Sequence, residues 1–298
     1  MKKLILLAVP AFVACGPTPL EQFRAASPSS QGLEVSMSKG NQNKQGLNDE
    51  NVKPALMPGV TLLATVVVNG GVGLTLGVVG AIIAHEPNSV TEEQAEWGPF
   101  TEPLWRHSFH LEMEKAGDDT YTYVLSRGPK DAKSKTREFE EVLSGKHEFQ
   151  GRVAGNGEFV LRDLDAKTSA EVKYGRTAQR DLDVKVGFRG GTPSDYAYTQ
   201  AAGGDGSFEF RVTADFATRS LAQETLTVKS RWHQSGEGRS DVTGIGGDLS
   251  SEVRFTECWD GSLNRSYYND TLGLFPTEGK AELCAFTEAS FATLPVTP

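Results

Sequence analysis

The chain lacks the short motifs that mark several large enzyme classes. It has only three cysteines and five histidines among its 298 residues. It contains no Gly-x-Ser-x-Gly nucleophile elbow, no His-Glu-x-x-His zinc helix and no Gly-Lys-Ser/Thr phosphate loop. These absences argue against the matching hydrolases, zinc proteases and nucleotidases. We therefore expect a protein that is not an enzyme and that needs no cofactor.

Basic residues are also few. The chain has 30 Lys and Arg against 39 Asp and Glu, a formal net charge of -9. Nucleic acid and anionic lipid surfaces attract positive charge, so this balance argues against both as main partners. The remaining composition, 38% hydrophobic and 23% charged with 32 glycines, is typical of a folded chain with many turns.

The histidines and cysteines do not form a metal-ligand pattern. His107 and His110 are three residues apart in a segment that alternates like a strand, which places them on opposite faces. Cys258 and Cys284 are distant in sequence and have no histidine near them, whereas zinc prefers four ligands. The sequence predicts no metal site.

The first fifteen residues, MKKLILLAVPAFVAC, have the layout of an export signal. Two lysines precede an apolar core at residues 4–13 that is too short to span a membrane. Ala14 and Cys15 resemble the lipobox of bacterial lipoproteins, where the signal is cleaved before a cysteine that becomes diacylated. The resemblance implies a signal peptide at 1–14, lipidation at Cys15 and a location in the cell envelope. An ordinary secretory signal with an incidental cysteine is the alternative.

Residues 15–55 are rich in Ser, Gly, Asn, Gln and Pro, which predicts a flexible tether with at most a short helix near residues 20–26. Gly16 after the cysteine resembles an outer-membrane sorting signal. If Cys15 carries lipid, Cys258 and Cys284 remain as an even pair in an oxidising compartment, and we expect a disulfide between them. Residues 56–298 are expected to form one β-rich domain.

The most unusual stretch is the uncharged segment at residues 60–84, VTLLATVVVNGGVGLTLGVVGAIIA. Three interpretations compete. We favour a buried helix, broken near Asn69-Gly70 and covered by a sheet on all sides. A hairpin with its turn at Asn69-Gly70 comes second, and a membrane-spanning helix third, because glycines weaken the helix and no basic cluster flanks it.

After Pro87 the sequence alternates between apolar and charged residues. About ten short segments of this kind are separated by Gly- or Asp-rich turns. This pattern predicts a mainly β fold: an antiparallel meander curled into a half-barrel or barrel, with the apolar segment packed in its concave side.

One predicted hairpin, at residues 231–241, is a candidate recognition patch. A turn at Ser235-Gly236 would place Trp232 opposite Arg239 and allow an indole to stack on a guanidinium, beside Asp241. The alternative is a purely structural hairpin corner that sets the curvature of the sheet.

Several short motifs, taken together, resemble those of a group of bacterial lipoproteins. They are the lipobox, residues 97–99 (WGP), 104–106 (LWR), 231–232 (RW), 236–241 and 257–260 (ECWD). The group consists of outer-membrane lipoproteins without an assigned activity. The resemblance implies a cellular location and the boundaries of the domain, but no catalytic residues.

We expect a lipid-anchored, non-enzymatic module that binds a hydrophobic or amphipathic ligand inside its sheet. The alternative is a structural lipoprotein that docks another envelope protein.

Overall fold

The structure is a computed structural model of the chain. It describes residues 17–28, 37, 53–101, 106–130, 138–150, 155–163, 165, 167–177, 182–190, 194–201, 203–215, 220–273 and 275–288, without the side chains of 66–74 and 182. The signal at 1–14, Cys15, most of the predicted tether and residues 104–105 lie outside this description.

The described strands form one antiparallel sheet whose spatial order equals the chain order. The strands are β1 (Ser89–Val90), β2 (Gln94–Phe100), β3 (His107–Lys115), β4 (Thr120–Pro129), β5 (Glu140–Phe149), β6 (Gly155–Asp163), β7 (Thr168–Arg176), β8 (Leu182–Arg189), β9 (Ser194–Gln200), β10 (Gly206–Ala214), β11 (Glu224–Trp232), β12 (Gly238–Gly246), β13 (Val253–Trp259), β14 (Arg265–Asp270) and β15 (Glu278–Gly279). The predicted mainly β meander is confirmed. The sheet is open, with β1 and β15 at its edges, so a curled sheet or half-barrel describes it and a closed barrel does not.

Two α-helices accompany the sheet in the described chain, α1 (Pro19–Ala26) and α2 (Met57–Ile83). The 27 residues of α2 span about 40 Å at 1.5 Å per residue. The helix continues through Asn69-Gly70 without a break, because tertiary packing outweighs the weak helix propensity of glycine. The apolar segment is thus a helix, as the favoured interpretation predicted, and the predicted break at Asn69-Gly70 is absent.

Within the part of the chain that the structure describes, no helix qualifies as long and apolar enough to cross a membrane.

Among the described side chains of α2, the buried ones lie on one side of the helix. Leu76, Val79 and Ile82 recur every three residues and are buried, as expected for one stripe of a helix. Leu62 and Leu63 are exposed, the latter to 68%. The prediction that the apolar helix is covered all round is therefore wrong, because a single open sheet can bury only one face of a helix.

Helix α1 is part of the folded unit. Thr18 and Glu21 form a capping box that starts the helix, and Phe23 is buried with its ring edge against Tyr121. The Arg24 guanidinium donates to the Ile83 carbonyl at the end of α2 at 2.9 Å. A stretch within the predicted flexible tether therefore packs against the domain.

Large aromatic side chains fill the concave face of the sheet. Trp232 is fully buried and lies over Gly206, its partner across the β10–β11 ladder. A Cβ atom at Gly206 would stand 2.6 Å from the indole, so the close approach requires glycine there.

Candidate functional site

A cavity of about 480 Å³ lies between α2 and the first half of the sheet. The helix contributes Thr75 and Val78 to one wall. The opposite wall is apolar and comes from strands β3 to β8: Phe109, Leu125, Val142, Leu161, Ala170 and Phe188. A space of this size and lining is within the usual range for small-molecule sites, about 300–1,000 Å³.

Charged side chains form the mouth of the cavity. Arg127, Arg162, Asp163 and Asp165 line it at the strand ends, together with the polar residues Thr168 and Ser169. Arg127 follows the inward-facing Tyr123 and Leu125 at the two-residue period of a strand, so its stem points to the concave side. An apolar interior with a charged entrance suits an amphipathic molecule.

Arg127 holds a bidentate ion pair. Its two terminal nitrogens donate to the two carboxylate oxygens of Asp165 at 3.2 and 3.1 Å. The two partners differ in exposure: the Arg127 side chain is 18% exposed and the Asp165 side chain is 80% exposed. Asp165 lies in the β6–β7 turn, where its backbone N–H donates to Asp163 at 3.0 Å.

Arg162 points elsewhere. Its guanidinium pairs with Glu141 and donates to the Ser144 hydroxyl at 3.3 Å. Arg162 lies next to Leu161 on β6, and neighbours along a strand point to opposite faces. The two arginines at the mouth therefore differ: Arg127 belongs to the concave side and Arg162 to the outer rim.

The sequence did not identify Arg127, Arg162 or Asp165. Each is a single charged residue near the end of a strand, where charge is common. The available signal was the alternation in β4, in which Tyr121, Tyr123 and Leu125 put Arg127 on the apolar face. Such an exception to the alternation indicates either a strand end or a site.

A second polar cluster lies at the start of α2. Glu257 accepts hydrogen bonds from the backbone N–H groups of Leu56 and Met57 at 2.8 and 2.6 Å. Its other oxygen accepts from Arg265 at 2.7 Å. The Thr61 and Ser230 hydroxyls meet at 2.7 Å beside it. This buried cluster fixes the helix N-terminus to the sheet and has a structural role.

The predicted recognition patch is divided between two faces. Trp232 pairs with Gly238, and Arg239 pairs with Arg231, so the predicted register is wrong by one residue. The predicted stacking of Trp232 on Arg239 is therefore absent, because the indole lies in the core. Arg239 and Asp241 do meet on the outer face, in an ion pair at 2.8 Å.

The ion pair between Arg239 and Asp241 is covered by the segment that follows β15. The Arg239 guanidinium donates to the Phe286 carbonyl at 3.3 Å, and Arg231 lies over the Phe286 ring at 4.8 Å. The disulfide between Cys258 and Cys284 attaches this segment to β13, which agrees with the predicted pairing. Arg239 and Asp241 are only 11% and 14% exposed as a result.

His110, His147 and His233 each contact a different polar partner. His107 and His110 project from opposite faces of β3, as predicted, and His110 pairs with Glu96 at 2.8 Å. His233 pairs with Asp205 at 3.0 Å. Among the described residues, no group of three or more His, Cys, Asp or Glu is placed to hold a metal ion.

His147, on β5, lies in an aromatic cluster on the concave side of the sheet. The residues of this cluster do not line the cavity. Its ring nitrogen Nδ1 is 3.0 Å from the Tyr174 hydroxyl, and its ring packs edge-on against Phe149. Burial lowers the pKa of His147 and raises the pKa of Tyr174 to about 12. Both side chains are therefore neutral at pH 7, and the cluster serves as packing.

Comparisons of the chain with protein-family models, with curated proteins and with solved structures return no match.

Proposed function

We propose that the protein is a lipid-anchored, non-enzymatic module of the cell envelope that binds an amphipathic ligand between its sheet and α2. The observation that carries this proposal is the cavity of about 480 Å³, which has an apolar interior and a charged mouth. A ligand with an apolar tail would replace water there, and each buried CH₂ group contributes about 0.8 kcal/mol.

The anchor in this proposal is Cys15, and it rests on the resemblance of the N-terminus to a lipoprotein signal. A lipid on Cys15 would hold the domain near a membrane, which is a source of amphipathic molecules. The outer membrane is the proposed location. The resemblance to a group of outer-membrane lipoproteins supports the same address.

The alternative, a lipoprotein that docks another envelope protein, receives less support. Arg239 and Asp241 are largely covered by the segment around Phe286, and Trp232 lies in the core. The predicted patch therefore offers little surface to a partner.

Native mass spectrometry of the full chain, purified from its own membranes, tests the proposed ligand. We expect a bound amphipathic molecule in the wild type. Thr75→Trp would fill the cavity from α2 and reduce the bound fraction. Gly77→Trp is the matched control, because Gly77 is exposed two residues away and its Cβ position has nothing within 4 Å.

Absence of any bound molecule in the wild type, or equal occupancy in both tryptophan variants, would contradict ligand binding in this cavity.

Labelling with radioactive palmitate tests the anchor separately. We expect incorporation in the wild type and none in Cys15→Ser, and equal incorporation in the two would contradict lipidation at that cysteine.

A further inference from the structure

The two partners of the ion pair at the cavity mouth are unequally hydrated. Arg127 is mostly buried, and its apolar neighbours Phe109 and Leu125 line the same cavity. Asp165 is mostly in water and belongs to a turn between strands. An exposed carboxylate keeps most of its hydration when it pairs, so the ion pair contributes little free energy. The pairing of Asp165 with Arg127 is therefore weak.

A planar guanidinium binds carboxylates and phosphates through two parallel hydrogen bonds. The bidentate geometry that Arg127 makes with Asp165 is therefore also the geometry that an incoming anion would use. Exchanging one carboxylate for the other would leave Arg127 paired throughout. The buried tail of the ligand then supplies most of the binding free energy, and the replacement of the weakly paired Asp165 by the ligand carboxylate adds to it.

From this pair we infer that the ligand is a single-chain amphiphile with an anionic head, which binds Arg127 in place of Asp165 while its tail occupies the cavity. This inference rests on the proposed function, since it assigns the chemical class of the ligand to the same site. In the free protein Asp165 pairs with Arg127, and the ligand carboxylate or phosphate displaces it on binding.

The other charges of the mouth are consistent with this assignment. Arg162 is engaged on the outer rim by Glu141 and Ser144. Asp163 accepts the Asp165 N–H and so supports the turn. Arg127 is thus the one cation of the described cavity lining that combines a concave-side position with an exposed, replaceable partner.

The test compares binding of dodecanoate, dodecanol and dodecylamine, which share a tail and differ in the head. The full chain carrying Cys15→Ser is titrated with each, and circular dichroism verifies the fold of every variant. We expect dodecanoate to bind most tightly. Arg127→Gln should weaken dodecanoate by about tenfold and leave dodecanol unchanged, because a charged hydrogen-bonded pair is lost.

Two further variants sharpen the result. Asp165→Asn should strengthen dodecanoate binding several-fold by removing the competing carboxylate. Arg254→Gln is the charge-matched control, since Arg254 is exposed, pairs with Glu252 and does not line the cavity, and it should leave dodecanoate binding unchanged.

Equal affinity for dodecanoate and dodecanol, unaffected by Arg127→Gln, would overturn the head-group assignment and leave the proposed function intact. Tighter binding of dodecylamine would also overturn it and would indicate that the aspartates hold the head. No binding of any of the three probes would overturn both proposals.

Discussion

The Glu257 carboxylate in β13 accepts a 2.6 Å hydrogen bond from the backbone N–H of Met57, the first residue of α2. The two residues are 200 positions apart. Leu56, at the N-cap position, makes no side-chain cap of its own, so the sheet provides the capping anion. A negative charge at this end also complements the helix dipole.

Glu257→Gln should destabilise the domain by about 3 kcal/mol, because it leaves Arg265 without its buried partner and weakens the cap. Urea unfolding followed by circular dichroism measures the change. Glu278→Gln is the matched control, since Glu278 is the more exposed partner of the same arginine, and it should cost less than about 1 kcal/mol. Equal losses in both variants would contradict a capping role for Glu257.

Ile82→Asp should unfold the domain, because it would place a charge at a fully buried position of α2. A buried unpaired charge costs on the order of 4 kcal/mol or more. Leu63→Asp on the exposed side of the same helix should leave the free energy of unfolding within about 0.5 kcal/mol of the wild type. A folded, soluble Ile82→Asp protein would show that the helix is not packed against the sheet.

Reduction of the Cys258–Cys284 disulfide should lower the free energy of unfolding by about 3.5 kcal/mol, the chain-entropy value for its sequence separation of 26. Urea titrations with and without a phosphine reductant measure it. The Cys258→Ser, Cys284→Ser double variant should match the reduced wild type and should no longer respond to the reductant. Rapid alkylation of both thiols in the unreduced native protein would refute the bridge.

Stability should fall as the pH drops below about 7, in part through His147. Because burial lowers the folded-state pKa of His147, the unfolded chain takes up a proton near its ordinary pKa of about 6.5 while the folded chain resists. The unfolded state therefore binds more protons in this window, and the folded state loses stability there as pH decreases.

His147→Gln should flatten this part of the stability–pH curve. Tyr174→Phe removes the hydroxyl beside Nδ1 but keeps the ring, so it should retain the slope, because burial causes the shift. Urea unfolding at a series of pH values distinguishes the two variants. A slope that survives in His147→Gln would assign the acid sensitivity to other groups.

The architecture was largely predictable from local patterns. Alternation after Pro87 predicted the antiparallel meander, and the uncharged run at residues 60–84 located α2. Strands β1, β2, β14 and β15 went unrecognised, since they are short or interrupted by Gly98-Pro99 and polar residues. The unbroken course of α2 depends on packing against a sheet, which no local propensity describes.

The candidate site was much less predictable. Arg127 and Asp165 are 38 residues apart and meet only because β4 and the β6–β7 turn end at the same side of the sheet.

The register error at Trp232 is one residue, because the hairpin is centred on Ser235 and not between Ser235 and Gly236. A shift of one residue decides which side chains of β12 share a face with Trp232. The burial of Trp232 follows instead from the alternation of β11 itself, in which Val228, Ser230 and Trp232 are buried.

The identity of strand order and chain order has a consequence for biosynthesis. Each ladder joins consecutive strands and closes a short loop, so hairpins can form one after another as the chain emerges. The contacts of α2 with Ser230 and Glu257 instead span 169 and 200 residues. The most apolar segment is therefore synthesised before β11 and β13, the strands that its N-terminal end contacts, and this end stays exposed to aggregation until they have been synthesised.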